Sequence, residues 1–145
     1  LQVRYFAEKP ASAPGCAVSI DTTLKSKEVA EGETVDLAVR LANRTDKPVP
    51  MTVAIVGLPA GLESRADQLK ELVKSGQIDA FETRSREVIL YRRGMAPKEE
   101  RSIVINLVAA IPGDYTGPAS RAYLYYTDEL KMWAEPLGAR IVAKN

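Results

Sequence analysis

GLESRADQLKELVKSG, residues 61–76, is the one stretch of this chain that reads as a helix, and its isolation decides the fold. Ala66, Leu69, Leu72 and Val73 recur at helical spacing on one face, with Arg65, Gln68, Lys70, Glu71 and Lys74 on the remainder. Ser64 is placed to cap the first turn, Asp67 to act as a short capping-box acid, and Gly76 to supply a left-handed stop. The spacing predicts one amphipathic helix near residues 64–75. Flanked by strands, such a helix must lie on a sheet or across the end of a sandwich, with its charged face in water. Lys70 and Lys74 are four apart and project together, a pattern that serves solubility and also suits a ligand with paired acidic groups.

Outward from the helix, the chain reads as strand and turn. Val35, Leu37, Val39 and Leu41 alternate with polar or small residues, the clearest period of two in the sequence. Cys16–Leu24, Met51–Val56, Ile78–Thr83 and Glu87–Tyr91 read as further strands. Ser102–Ala110 is apolar and β-branched enough to suggest a central strand covered on both faces. Ile111–Pro118 reads as a turn segment and Ala119–Thr127 as an aromatic strand. Met132–Ala134 and Ala139–Ala143 read as a last strand, interrupted by Pro136 and placed at an edge. About eight or nine short strands with regular turn signals predict an all-β, antiparallel, two-sheet immunoglobulin-like sandwich with the helix inserted between two strands. One domain is expected over 1–145, with 1–15 an extended lead-in and 16–143 the sandwich. Leu1–Ala7 reads as a strand in a piece of a longer protein, with any export signal elsewhere.

Composition narrows the function classes. The 145 residues carry a net charge of +1 with no dense basic stripe, which argues against nucleic-acid binding. Arg84, Arg86, Arg92 and Arg93 read as a solvated sheet face. No run of about 18 apolar residues is present to span a membrane. Cys16 is the only cysteine and there is no histidine, which removes internal disulfides, Ser-His-Asp catalysis and histidine metal sites. Cys16 reads as a small buried strand residue. No cofactor motif and no metal set is legible, and no catalytic residue is assigned. The doublets Glu99-Glu100 and Asp128-Glu129 read as solvated turns, since neighbours on a strand point to opposite faces. Asn43-Arg44-Thr45 matches a glycosylation sequon, a triplet common by chance. Tyr123, Tyr125, Tyr126 and Trp133 cluster within eleven residues of a chain that is 6% aromatic. They read either as core and rim or as a docking surface for a neighbouring domain.

Three segments in order carry a family resemblance. TVAIVGLPAGLESRADQLKELVKSG is a strand, a Gly-Leu-Pro turn and the helix. REVILYRRGMAPKEERSIVINLVAAIPG is two strands around a proline-containing turn. PASRAYLYYTDELKMWAEP sets a tyrosine pair before an acidic pair. Together they resemble the C-terminal receptor-binding domain of the alpha-macroglobulin and complement thioester-protein family, from Cys16 to about Ile141. The resemblance implies a non-catalytic module of a large broad-spectrum protease trap, acting in interdomain packing and conformational change. Its partners would be the thioester-containing and macroglobulin domains of the same polypeptide and, through the full-length protein, target proteases. In animal members, lysines on the matching helix bind an endocytic receptor. Lys70 matches one of them, whereas the other falls on Ala66, with Arg65 beside it and Lys74 a turn later. The partner-binding residues so implied are Arg65, Lys70, Lys74, Tyr125, Tyr126 and Trp133. The family's cysteine pairing and its Cys-Gly-Glu-Gln thioester motif are absent, the latter expected in a preceding domain. Low cysteine use points to a bacterial relative in the periplasm or cell envelope, or secreted. The alternative from a different class is a cell-surface adhesion or ligand-binding sandwich that uses the helix face.

Overall fold

The computed structural model describes residues 10–144. The strand expected at Leu1–Ala7 lies outside the described residues. In chain order the elements are β1 (Val18–Leu24), β2 (Glu28–Ala30), β3 (Thr34–Asn43), β4 (Thr52–Gly57), β5 (Leu62–Ser64) and α1 (Ala66–Lys74). They continue as β6 (Ala80–Arg84), β7 (Glu87–Arg92), β8 (Glu100–Ala109), β9 (Gly113–Thr116), β10 (Arg121–Leu124), β11 (Met132–Trp133) and β12 (Gly138–Val142). One sheet runs β1-β3-β8-β5 and a second β11-β10-β4-β7-β6, both antiparallel throughout.

The alternation in β3 builds the core. Val35, Leu37, Val39 and Leu41 are buried, and β8 sets Ile105 opposite Leu37 and Ile103 opposite Val39. From the second sheet Ala54, Val56, Val88, Leu90 and Ala122 join the same cluster, so the two inner faces make one sandwich core. Each fully buried Leu or Ile contributes about 1.5–3 kcal/mol relative to exposure, before entropy is charged against it.

Several expectations are corrected in detail. The strand covered on both faces is β4, not the 102–110 segment. Ala54 and Val56 of β4 face the main core, while Val53 and Ile55 pack with Ile89 on the outside of the sheet, under Tyr91 and Tyr123. β8 instead alternates, with Ile103, Ile105 and Leu107 inward and Ser102, Val104 and Asn106 on the wetter side. The 111–118 segment is more than a turn, because it contains β9. β12 is no edge: it is the middle strand of a third sheet, β2-β12-β9, parallel to β2 and antiparallel to β9. The aromatic strand stops at Leu124, so Tyr125 and Tyr126 stand in the turn beyond β10.

Candidate interaction site

α1 begins later than its sequence suggests. Leu62 is buried in the core, and Leu62–Ser64 pairs with Ala109–Leu107 of β8, which commits Ser64 to a strand. Arg65 takes the N-cap position with extended backbone and makes no side-chain cap bond. The helix end is as expected. Gly76 has φ +82°, its N–H donates to the Val73 carbonyl at 3.0 Å, and Gln77 N–H donates to the Leu72 carbonyl at 3.0 Å. That is the paired Schellman closure, which needs a left-handed residue at its turning point. Leu69 and Leu72 are buried and Val73 packs partly, whereas Ala66 is exposed, so the apolar stripe is narrower than the sequence implied.

The polar face of α1 divides into two parts. Arg65 and Gln68 turn toward β8. The Arg65 guanidinium donates to Asn106 Oδ1 at 2.8 Å and to Asp67 Oδ2 at 3.0 Å, and Asn106 Nδ2 donates onward to Asp36 Oδ1 at 2.9 Å. Arg65 is thus held in a chain of polar contacts spanning β3, β8 and the helix. Lys70 and Lys74 are exposed, and among the described residues neither has a hydrogen bond or ion pair. They are the two cations on α1 that a partner could reach without displacing an existing contact.

The aromatic residues are likewise separated. Tyr125 and Tyr126 are 56% and 76% exposed and meet edge to face, with ring centroids 5.2 Å apart. Tyr125 N–H donates to the Met51 carbonyl at 2.8 Å, which fixes the turn to the end of β4. Trp133 is half-buried under the Arg121 guanidinium, 5.4 Å from the ring centroid, and Arg121 pairs with Glu87 at 3.0 Å. Lys131 lies 5.1 Å over the Tyr123 ring. The Tyr91 hydroxyl donates to Glu82 at 2.7 Å. That hydrogen bond, with burial adding, pushes the Tyr91 hydroxyl up to about 12. Burial likewise raises Tyr123. Tyr91 and Tyr123 cover Val53, Ile55 and Ile89 on the outer face of the second sheet. Trp133 is in contact with Arg121 of the same chain.

The structure does not bring together the six residues expected to meet a partner. α1 packs on β8 and β6, whereas β10 and β11 lie at the far edge of the second sheet, against β1. Two separate exposed patches result, Lys70 with Lys74 and Tyr125 with Tyr126. Gln68, like Arg65 expected on the polar side of the helix, is bonded to the β8 backbone.

Other candidates resolve into structure. Cys16 is buried just before β1, its thiol 3.4 Å from the Val18 carbonyl. Asn43 is 2% exposed, and its amide nitrogen donates to the carbonyls of Lys47 at 2.7 Å and Ala96 at 2.9 Å, so the sequon is closed to a glycan in this fold. Glu99 accepts from Ala96 N–H and from Arg101, which together hold its carboxyl below the usual range, while Glu100 pairs with Arg40 on a different contact. The doublet does not converge on one point. Of the four arginines expected in water, Arg92 is partly buried, its guanidinium 3.6 Å from Asp79. Among the described residues no group of three or more His, Cys, Asp or Glu is placed to hold a metal ion. Among them also, no helix is long and apolar enough to cross a membrane.

No family model matches the sequence, and no curated protein matches it. Solved structures do. Trypsin-activated alpha-2-macroglobulin from Escherichia coli is similar with a TM-score of 0.72 and 16% identity, covering 91% of this chain and 11% of that one. The native Escherichia coli protein from domain MG7 to the C-terminus is similar with a TM-score of 0.66 and 19% identity, covering 92% of this chain and 25% of that one. A Salmonella alpha-2-macroglobulin mutant, Y1175G, gives a TM-score of 0.70 and 20% identity over 92% of this chain and 10% of that one. The chain thus spans between a tenth and a quarter of the length of these structures. What it shares with bacterial alpha-2-macroglobulin is a fold, an all-β sandwich matched across nearly its whole described length.

Proposed function

We propose that this chain is a non-catalytic C-terminal module of a macroglobulin-like, broad-spectrum protease inhibitor, acting in interdomain packing and conformational change. The observation that carries the reading is the extent of the match, above nine-tenths of this chain against bacterial alpha-2-macroglobulins. The two exposed patches fit the role. Tyr125 and Tyr126 present large apolar area with polar tips at a backbone-anchored turn, the composition that interface centres favour. Lys70 and Lys74 offer two uncommitted cations on a helix fixed at both ends. On this reading the partners are other domains of the same polypeptide, proteases are met only through the full-length protein, and the compartment is the periplasm, the envelope or outside the cell. The chain alone, mixed with trypsin or elastase, is expected to leave protease activity unchanged; inhibition by these 145 residues would overturn the non-catalytic, non-trapping role.

A second reading has one observation in its favour. The unpartnered Lys70 and Lys74 suit an adhesion or ligand-binding module that uses the helix face. Lys70→Glu with Lys74→Glu abolishes binding to an acidic partner on that reading. On the packing reading it leaves association through the tyrosine turn intact.

A further inference from the structure

β11 has a backbone neighbour on each side. Ala134 N–H donates to the Ser120 carbonyl at 2.9 Å, so residue 134 faces the β10 side. In an antiparallel ladder the N–H and C=O of one residue point to the same edge, and the edge alternates along the strand. Lys131 and Trp133 therefore turn theirs to the opposite edge, where no strand lies among the described residues. The lead-in takes both groups there. Ala13 N–H donates to the Lys131 carbonyl at 2.9 Å, and Ser12 Oγ accepts the Trp133 N–H at 2.9 Å. The local sequence shapes the lead-in for this position. Pro14 disfavours the helical region at Ala13 and so keeps it extended. Pro14 and Gly15 then form the centre of a turn that Cys16 N–H closes onto the Ala13 carbonyl at 3.2 Å. That corner delivers the chain to buried Cys16, whose thiol reaches the Ala122 carbonyl of β10 at 3.8 Å.

The same two bonds hold one arm of the tyrosine turn. On the arm leaving β10, Tyr125 N–H is fixed to the Met51 carbonyl at 2.8 Å. Within the turn, Thr127 N–H donates to Leu124 and Leu130 N–H to Thr127, each at 3.0 Å. The returning arm, residues 130–133, is held more lightly. β11 is two residues long and pairs with β10 at two positions, against four between β10 and β4. The lead-in supplies the other side of this arm, and a Cβ added at Gly15 would stand 3.9 Å from Leu130 Cδ1. In chain order, Ser12 and Ala13 make the first hydrogen bonds among the described residues. A displacement of the polypeptide before Pro10 therefore reaches Lys131 and Trp133 before it reaches the core.

We propose that residues 10–15 are a strap that holds the tyrosine turn in place, and that releasing Ser12 and Ala13 from β11 loosens Tyr125 and Tyr126. The inference rests on the reading of those tyrosines as a docking turn and adds its control, a pull on the chain before Pro10. The test is hydrogen exchange in the 145-residue chain, which needs no partner, so its failure and the failure of the packing reading are told apart. Ser12→Ala with Ala13→Pro removes the acceptor for Trp133 and the donor to Lys131 while keeping the segment extended. Ser12→Thr keeps the hydroxyl, and Gly76→Ala, which lowers stability away from β11, is the control for global unfolding. The double variant is expected to exchange the Trp133 amide about tenfold faster, with the Thr127 and Leu130 amides rising alongside it. Emission from Trp133, the one tryptophan of the chain, is expected to shift to the red. Ser12→Thr and Gly76→Ala are expected to match the wild type at these amides. A Trp133 amide that exchanges at the wild-type rate in the double variant overturns the proposal. So does a rise at Trp133 that leaves Thr127 and Leu130 unchanged, since the strap would then not reach the turn. An equal rise in Gly76→Ala overturns it as well, because the turn would then open only with the whole chain.

Discussion

Arg65 and Asn106 are joined at 2.8 Å across the junction between α1 and β8, and the contact ties the start of the helix to the sheet. Because Arg65 also occupies the N-cap position without capping, its worth lies in this tertiary bond. Arg65→Ala is expected to destabilise the chain by about 1–1.5 kcal/mol, leaving Asn106 with one partner fewer. Urea unfolding followed by circular dichroism checks it, with the slope unchanged and only the midpoint lowered.

Two glycines separate backbone strain from collision. A Cβ at Gly76 meets nothing within 4 Å, but φ is +82°, so Gly76→Ala is expected to cost about 1 kcal/mol through the backbone alone. A Cβ at Gly57 falls 1.8 Å from the Pro118 carbonyl oxygen. Gly57→Ala must therefore shift two crossing chains and is expected to cost about 3 kcal/mol or more. Thermal unfolding of the two variants side by side gives the order.

How much of this was legible follows from where each signal resides. The β3 alternation and Gly76 declare themselves locally, because a period of two and a left-handed stop are properties of neighbouring residues. The sandwich and the inserted helix were readable for that reason. The β2–β12 pairing joins residues more than a hundred positions apart, and no local pattern encodes it. Gln68 reads as solvent-facing because its partners are backbone atoms of β8, which carry no residue identity. Ser64 looks like a cap until β8 claims it as a strand. Trp133 lies only seven residues beyond Tyr126, yet the chain turns between them and places them in different surroundings.

The pH dependence of stability is expected to show two limbs. Glu99 titrates below its unfolded value, so its contribution is complete above the ordinary carboxylate range and is lost as pH falls through the folded value. Glu99→Gln should flatten the acid limb of a melting-temperature profile. Tyr91 is raised from 10.0 to about 12, so its contribution is complete below about pH 10 and is lost as pH rises through about 12. Tyr91→Phe should flatten the alkaline limb and leave the acid one unchanged.

The lysine patch separates stability from binding. Among the described residues Lys70 and Lys74 make no hydrogen bond or ion pair, so Lys70→Glu with Lys74→Glu is expected to change stability by no more than about 0.5 kcal/mol. Leu69→Ala on the buried side of the same helix is expected to cost about 2–5 kcal/mol. Equilibrium unfolding of both variants compares the two faces directly.

The proposed role of this sandwich is to pack against other domains of a longer protease-trapping polypeptide. Hydrogen exchange through the 124–127 turn, measured in the isolated chain and in the polypeptide that carries it, before and after protease cleavage, tests it most directly. Packing through this turn predicts protection of Tyr125 and Tyr126 in the intact polypeptide and altered protection after cleavage. Exchange identical in all three states would contradict it.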